Sequence, residues 1–175
     1  MKKNCDTTHI DLNEYIIITT NEGLPFLHPI KQIEITKETL EIKDIIDLFV
    51  KAYRMNEMDS ERLYIVTFNY QAVPKGICLV SVGDNKTTMN CYRTIGEFLL
   101  LTGAEKFITI HNHPDCSEEP SADDLIVATR LEQIGNMFDI EFLGSFIINR
   151  YKYYNIEKKS SFELEGGDFN EKFRW

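Results

Sequence analysis

No apolar run in this chain approaches the roughly 20 residues that a bilayer-spanning helix needs, so no transmembrane segment is expected. The opening residues, Met1-Lys2-Lys3-Asn4-Cys5-Asp6, lead into polar sequence and not into the apolar core of a secretory signal, which makes the cytoplasm the expected location. A CxxC pair is also missing. Cys5, Cys78, Cys91 and Cys116 lie far apart, as suits reduced thiols better than a disulfide framework or a structural zinc knuckle. Basic clusters are absent as well: 19 Lys and Arg face 28 Asp and Glu, the net charge is −9, and the longest basic runs are Lys2-Lys3 and Lys158-Lys159. Binding to nucleic acid draws most of its non-specific affinity from phosphate neutralisation, so such a partner is disfavoured. Neither an internal repeat nor a low-complexity segment occurs.

What remains is an ordinary globular composition, 175 residues with 43% hydrophobic and 27% charged, which fits one domain with a real core. Tyr15 to Thr19 reads as a buried strand and Gln32 to Thr36 as a second. Lys43 to Tyr53 carries Ile45, Ile46, Leu48, Phe49, Ala52 and Tyr53 at helical spacing. Leu63 to Phe68 and Gly76 to Val82 are rich in strand formers and predict a hairpin with Pro74-Lys75-Gly76 in the turn region. A helix is predicted over 93–102, a strand over 107–110, and a strong helix over 121–138 with Ser121 at its N-cap. Short strands follow at 140–143 and 146–149, with 151–156 extending the second, and the charged tail from Glu157 to Trp175 reads as loosely attached. Strands alternate with helices, and the fold class is a single mixed α/β (α+β) domain.

The informative stretch is His111-Asn112-His113-Pro114, a polar loop, and then Ser121-Ala122-Asp123-Asp124. Residues two apart on a strand point to one face, with Cα atoms roughly 6.5 Å apart, so His111 and His113 can aim both imidazoles at one ion. Asp124 falls in the first turn of the following helix, from which its carboxylate can face back toward the strand end. Two imidazoles and a carboxylate suit Zn²⁺ with a fourth position open, the arrangement of a catalytic rather than a structural site. Ser121-x-x-Asp124 is equally what a helix N-terminus wants without a metal, so a plain capping box stands beside the ligand reading.

These residues resemble the metal motif of the JAB/MPN metalloproteases. The wording His111-Asn112-His113-Pro114 and the length of the loop to Ser121-x-x-Asp124 are most similar to the bacterial RadC-like branch. Upstream, Glu61 to Asn69 is similar to the family's first strand of this region, which opens with the motif's glutamate. Val82-Gly83 and Arg93 also fall at family-like distances before His111. The resemblance implies a curved mixed β-sheet flanked by helices in the JAB/MPN (cytidine deaminase-like) architecture. It divides the chain into residues 1–55, strands and a helix packed on the core; residues 56–156, the metal-binding domain; and residues 157–175, the tail. Zn²⁺ held by His111, His113 and Asp124, Glu61 as general base and Ser121 on the oxyanion are its implied site. Hydrolysis of a peptide or isopeptide bond in a protein or peptide substrate is its implied reaction.

The chain departs from that pattern at three places. Asp115-Cys116 stands where the family usually reads Ser-Gly, Cys91-Tyr92-Arg93-Thr94 keeps only the arginine of His-Pro-Arg-Glu, and Gly144-Ser145 replaces an Asp-His pair. A thiolate at Cys116 could fill the open metal position, but polar Asp115 and Ser117 predict a loop cysteine facing solvent. The helix-hairpin-helix region that precedes this domain in full-length RadC proteins is not read in the first 55 residues. The function class that competes with a hydrolase is a DNA-repair or mobile-element accessory module that binds a partner without turnover. Amidohydrolases also use HxH, but on a barrel of about 250 residues that this chain cannot supply.

Overall fold

The structure, a computed structural model, describes residues 8–37, 40–83 and 91–164. Among these residues the chain forms β1 (Thr8–Thr19), β2 (Pro25–Lys37), α1 (Ile42–Lys51), a 3-10 turn at Met55–Glu57, β3 (Arg62–Phe68), β4 (Pro74–Val82), α2 (Cys91–Leu101), β5 (Lys106–Asn112), α3 (Ala122–Phe138), β6 (Glu141–Ile148), β7 (Lys152–Asn155) and β8 (Ser160–Glu163). The eight strands make one open, mixed sheet in the order β2-β1-β4-β3-β5-β6-β7-β8. β1 runs parallel to β4 and β5 parallel to β6, and the remaining neighbours are antiparallel. No helix among the described residues is long and apolar enough to cross a membrane.

Alternation along the central strands explains the layering. In β3, Tyr64, Val66 and Phe68 join one core with Ile45, Ile46 and Phe49 of α1, while Ile65 turns to a second core with Ile95, Phe98 and Leu99 of α2 and Leu131 of α3. β5 divides the same way, Ile108 and Ile110 to the first core and Phe107 to the second. Strands covered on both faces read as continuous apolar runs, which is why these two were legible without strict alternation. By the same period of two, His111 follows Phe107 and Thr109 onto the face that carries α2 and α3.

Several boundaries differ from the sequence reading. β1 and β2 are longer than predicted, because they pair with each other along their whole length, and the added part of β1 alternates exposed His9 and Asp11 with buried Leu12 and Glu14. The β3–β4 turn lies at 69–73, ahead of Pro74: Asn69 Oδ1 accepts the Val73 N–H at 2.9 Å, and Pro74 begins the strand, a place where a missing N–H is tolerated. The two short strands expected at 140–149 are one strand. β6 absorbs Leu143 as a bulge and continues through Gly144 at φ +134, where a Cβ would sit 2.6 Å from Glu157 Oε2. Residues 160–163, read as part of a loose tail, form the edge strand β8 against β7; residues 165–175 lie outside the described residues. The first segment joins the same sheet, with Leu12 and Ile33 buried against α1 and the Tyr53 hydroxyl donating to the buried carboxylate of Glu14 at 2.8 Å.

Candidate metal centre

β5 ends at Asn112, and the chain stays tied to the sheet one residue further because the His113 N–H donates to the Ile148 carbonyl at 2.9 Å. Both imidazoles therefore sit on a rigid strand end rather than in the loop. Asp124 is the third residue of α3. Its Oδ2 accepts from the Ser121 N–H at 2.7 Å, and the Ser121 hydroxyl oxygen accepts from the Asp124 N–H at 3.2 Å, so the reciprocal capping box exists. The capping and ligand readings of Ser121 and Asp124 are not exclusive, because the cap is what turns the carboxylate toward the histidines.

His111 Nε2 lies 3.2 Å from His113 Nε2 and 3.3 Å from Asp124 Oδ1, and His113 Nε2 lies 3.4 Å from Asp124 Oδ2. In a tetrahedron with metal–ligand bonds of about 2.0–2.1 Å, ligand atoms are about 3.3–3.4 Å apart. Taken one atom per residue, the three donors lie within 4.8 Å of one another, and a small turn of the Asp124 carboxylate, whose two oxygens face one histidine each, would close them on such an ion. His111, His113 and Asp124 are the group of metal-competent side chains that converges among the described residues, and all three are largely withdrawn from solvent.

Electrostatics tie Glu61 to this cluster. Burial pushes its carboxyl above the usual range; Asp124 and Asp115 push the same way, and His111 and His113 pull against them. Burial opposes the charge on Asp124 too, but hydrogen bonds from His111 and His113 and the positive field of His111 hold its carboxyl well below the usual range. For His113, burial works against the imidazolium, yet Asp124, the Ser117 carbonyl and Glu61 together raise its pKa. Glu61 itself stands just before β3, half-buried, with its carbonyl accepting from the Gly83 N–H at 3.0 Å. The Ser121 hydroxyl donates to Asp124 Oδ2 at 2.6 Å.

Two supporting residues escaped the sequence reading. Ser117 places its hydroxyl 2.6 Å and its carbonyl 3.3 Å from His113 Nδ1, which leaves Nε2 for the ion. Asn149, nearly buried in the β6–β7 turn, donates from Nδ2 to the Ser117 carbonyl at 3.4 Å and accepts the Tyr151 and Lys152 N–H groups through Oδ1. The only signal available beforehand for Ser117 was a hydroxyl residue four positions after a ligand histidine. Ser117→Ala is expected to lower zinc affinity by roughly 10–100-fold, measured by chelator competition, while leaving the fold intact.

Cys116 is exposed and outside the converging group; its thiol reaches the Pro114 carbonyl at 3.9 Å and not the metal cluster. Its φ of +62 is left-handed, which accounts for the glycine that the resembling family carries there. Cys116→Gly is expected to be neutral or stabilising by about 1 kcal/mol in chemical denaturation, since a side chain in this region costs roughly 1–2 kcal/mol. Thiol alkylation of Cys116 should proceed at the same rate with and without zinc. Arg93, on the exposed side of α2, is engaged by Glu97 at 2.8 Å.

The profile of the RadC-like JAB domain matches residues 39–161. A UPF0758 protein of Clostridium beijerinckii is 27% identical over 117 residues, covering 67% of this chain and 50% of its own length. One from Staphylococcus carnosus is 25% identical over 162 residues, 93% of this chain and 68% of its own. One from Listeria monocytogenes is 34% identical over 83 residues, 47% and 37% respectively. The chain spans about half the length of the relatives it matches in Clostridium beijerinckii and Caldanaerobacter subterraneus.

Proposed function

This chain belongs to the family of RadC-like JAB domains, and from that footing we propose that it is a zinc-dependent hydrolase acting on a peptide or isopeptide bond of a protein or peptide substrate. The convergence of His111, His113 and Asp124 supports this reading most directly, because three protein donors of these kinds would hold zinc and leave a further position for water. Zinc held by these three residues would supply a nucleophile at neutral pH, by lowering the pKa of water toward about 7.

The remaining work falls to the chain's own groups. The Glu61 carboxylate takes up the proton from the attacking water and delivers it to the nitrogen of the leaving amine. Its raised affinity for that proton, from burial and from Asp124, suits a group that must hold and then release it. Asp124, pulled far toward its charged form, stays an anionic ligand throughout. Ser121 orients Asp124 through its hydroxyl and turns that hydroxyl to the developing oxyanion once substrate is bound. Ser117 and Asn149 keep the His113 ring fixed while charge moves around it.

The test is zinc content of the purified chain together with cleavage of peptide and isopeptide libraries before and after chelation. About one zinc per chain and chelator-sensitive cleavage is the expected result. Stoichiometric zinc with no cleavage of any substrate would favour an accessory module over a hydrolase, and absence of zinc would remove the reading altogether.

A further inference from the structure

Asn112 sits between the two histidines in sequence, but the alternation of the strand turns it away from them. It is 1% exposed, so both ends of its amide need partners. Oδ1 accepts the Arg62 N–H at 2.9 Å and Nδ2 donates to the Ser60 carbonyl at 3.1 Å. Those two backbone groups flank Glu61. The backbone pairing of β3 with β5 runs from Phe68–Lys106 to Leu63–His111 and goes no further, so it does not reach residue 61. A side-chain amide offers a donor and an acceptor in one planar group, as a peptide does, and Asn112 continues the pairing where the backbone leaves off. On the opposite side, the Gly83 N–H holds the Glu61 carbonyl at 3.0 Å, from a glycine at φ +119. The segment that carries Glu61 is thus pinned from β4 and from β5 at once.

We propose that Asn112 is a positioning residue, which holds Glu61 against the His111–His113–Asp124 cluster by clamping the backbone on either side of it. One strand end then carries two metal ligands and the clamp on the base, so the distance between them is set by three consecutive residues. This rests on Glu61 being the base of the proposed reaction. Neither a carboxylate nor a hydroxyl reproduces the clamp: Asp has no donor for the Ser60 carbonyl, and Ser is too short to meet both groups.

The test uses the full chain loaded with cobalt in place of zinc, and reads the pH midpoint at which the visible cobalt spectrum changes. Glu61→Gln, Asn112→Ser and the double variant are compared with the unsubstituted chain. Glu61→Gln should displace the midpoint, Asn112→Ser should move it at least halfway toward the same value, and the double variant should match Glu61→Gln. Cobalt should remain at one per chain in all of them. The Arg62 amide should exchange at least tenfold faster in Asn112→Ser. An unchanged midpoint in Asn112→Ser, even with a loss of stability, would overturn the positioning role. So would a further shift when Asn112→Ser is added to Glu61→Gln, since Asn112 would then act on the ligands. If Glu61→Gln alone left the midpoint in place, the base itself would be misassigned, which is a separate failure from that of the clamp. Should Asn112→Ser not fold, Asn112→Thr, uncharged and with a single hydroxyl too short to meet both backbone groups, carries the same comparison.

Discussion

His113→Ala protein is expected to emerge without stoichiometric zinc, whereas the unsubstituted chain retains about one ion. His113 Nε2 is one of three converging donors, and the remaining two do not replace it. The loss should exceed the roughly 10–100-fold effect expected for Ser117→Ala, which only loosens the ring. Stability should fall with it. An ion at 100 times its dissociation constant adds about 2.7 kcal/mol to the folded state, so the unsubstituted chain should lose a comparable amount on chelation and His113→Ala should not respond. The pH dependence has a fixed sign. The pKa of His113 is raised, so protons compete for Nε2 from a higher pH than for an ordinary histidine, and zinc affinity should be full above that pKa and decline as pH falls through it. Elemental analysis and thermal melts with and without chelator check each point. Full zinc occupancy in His113→Ala would remove this histidine from the ligand set.

Glu61→Gln is expected to separate binding from turnover. Glutamine keeps the size and the neutral hydrogen-bonding of the protonated acid but cannot accept the proton, so cleavage should fall by about 10²–10⁴-fold. Zinc should remain near one per chain, because Glu61 lies outside the three converging donors. The folded state should hold or gain slightly, since burial and the neighbouring Asp124 already disfavour the Glu61 charge. Parallel measurement of metal content and cleavage rate decides the matter. Were Glu61→Gln to lose zinc as completely as Asp124→Ala, Glu61 would belong among the ligands.

The relation between sequence and structure differs from element to element. α3 was readable to within a residue because its N-cap and its length agree, but of the expected apolar stripe Leu125, Ile126, Ala128, Leu131 and Ile134, Leu125 and Ile126 are exposed, while Ala128 and Leu131 are buried. The β3–β4 turn was misplaced because Pro74 resembles a turn residue, while the actual turn depends on the Asn69 side chain reaching Val73. β8 was missed because a strand whose four residues are mostly exposed has no hydrophobic signature; pairing with β7 alone defines it. The bulge at Leu143 was read as a gap between two strands, since an inserted residue breaks the period of two without ending the pairing.

At the site, local chemistry and order along the chain were enough to select His111, His113 and Asp124, because a strand end, a short loop and a capped helix can bring those donors to one place with few degrees of freedom. Sequence determined the candidates, the acidic balance and the α/β class. It did not determine that Ser117 fixes the His113 ring, that Asn149 in turn holds Ser117, or that Asn112 clamps the backbone on both sides of Glu61. Ser60 and Arg62 are 52 and 50 residues from Asn112 along the chain. Contacts of that separation leave no periodic trace, because they exist only after the sheet has set its strand order, and a buried amide looks the same in sequence whether its partners are near or far. Tertiary structure decided them because hydrogen bonds depend on distances of a few tenths of an ångström, which pairing and packing fix and composition does not.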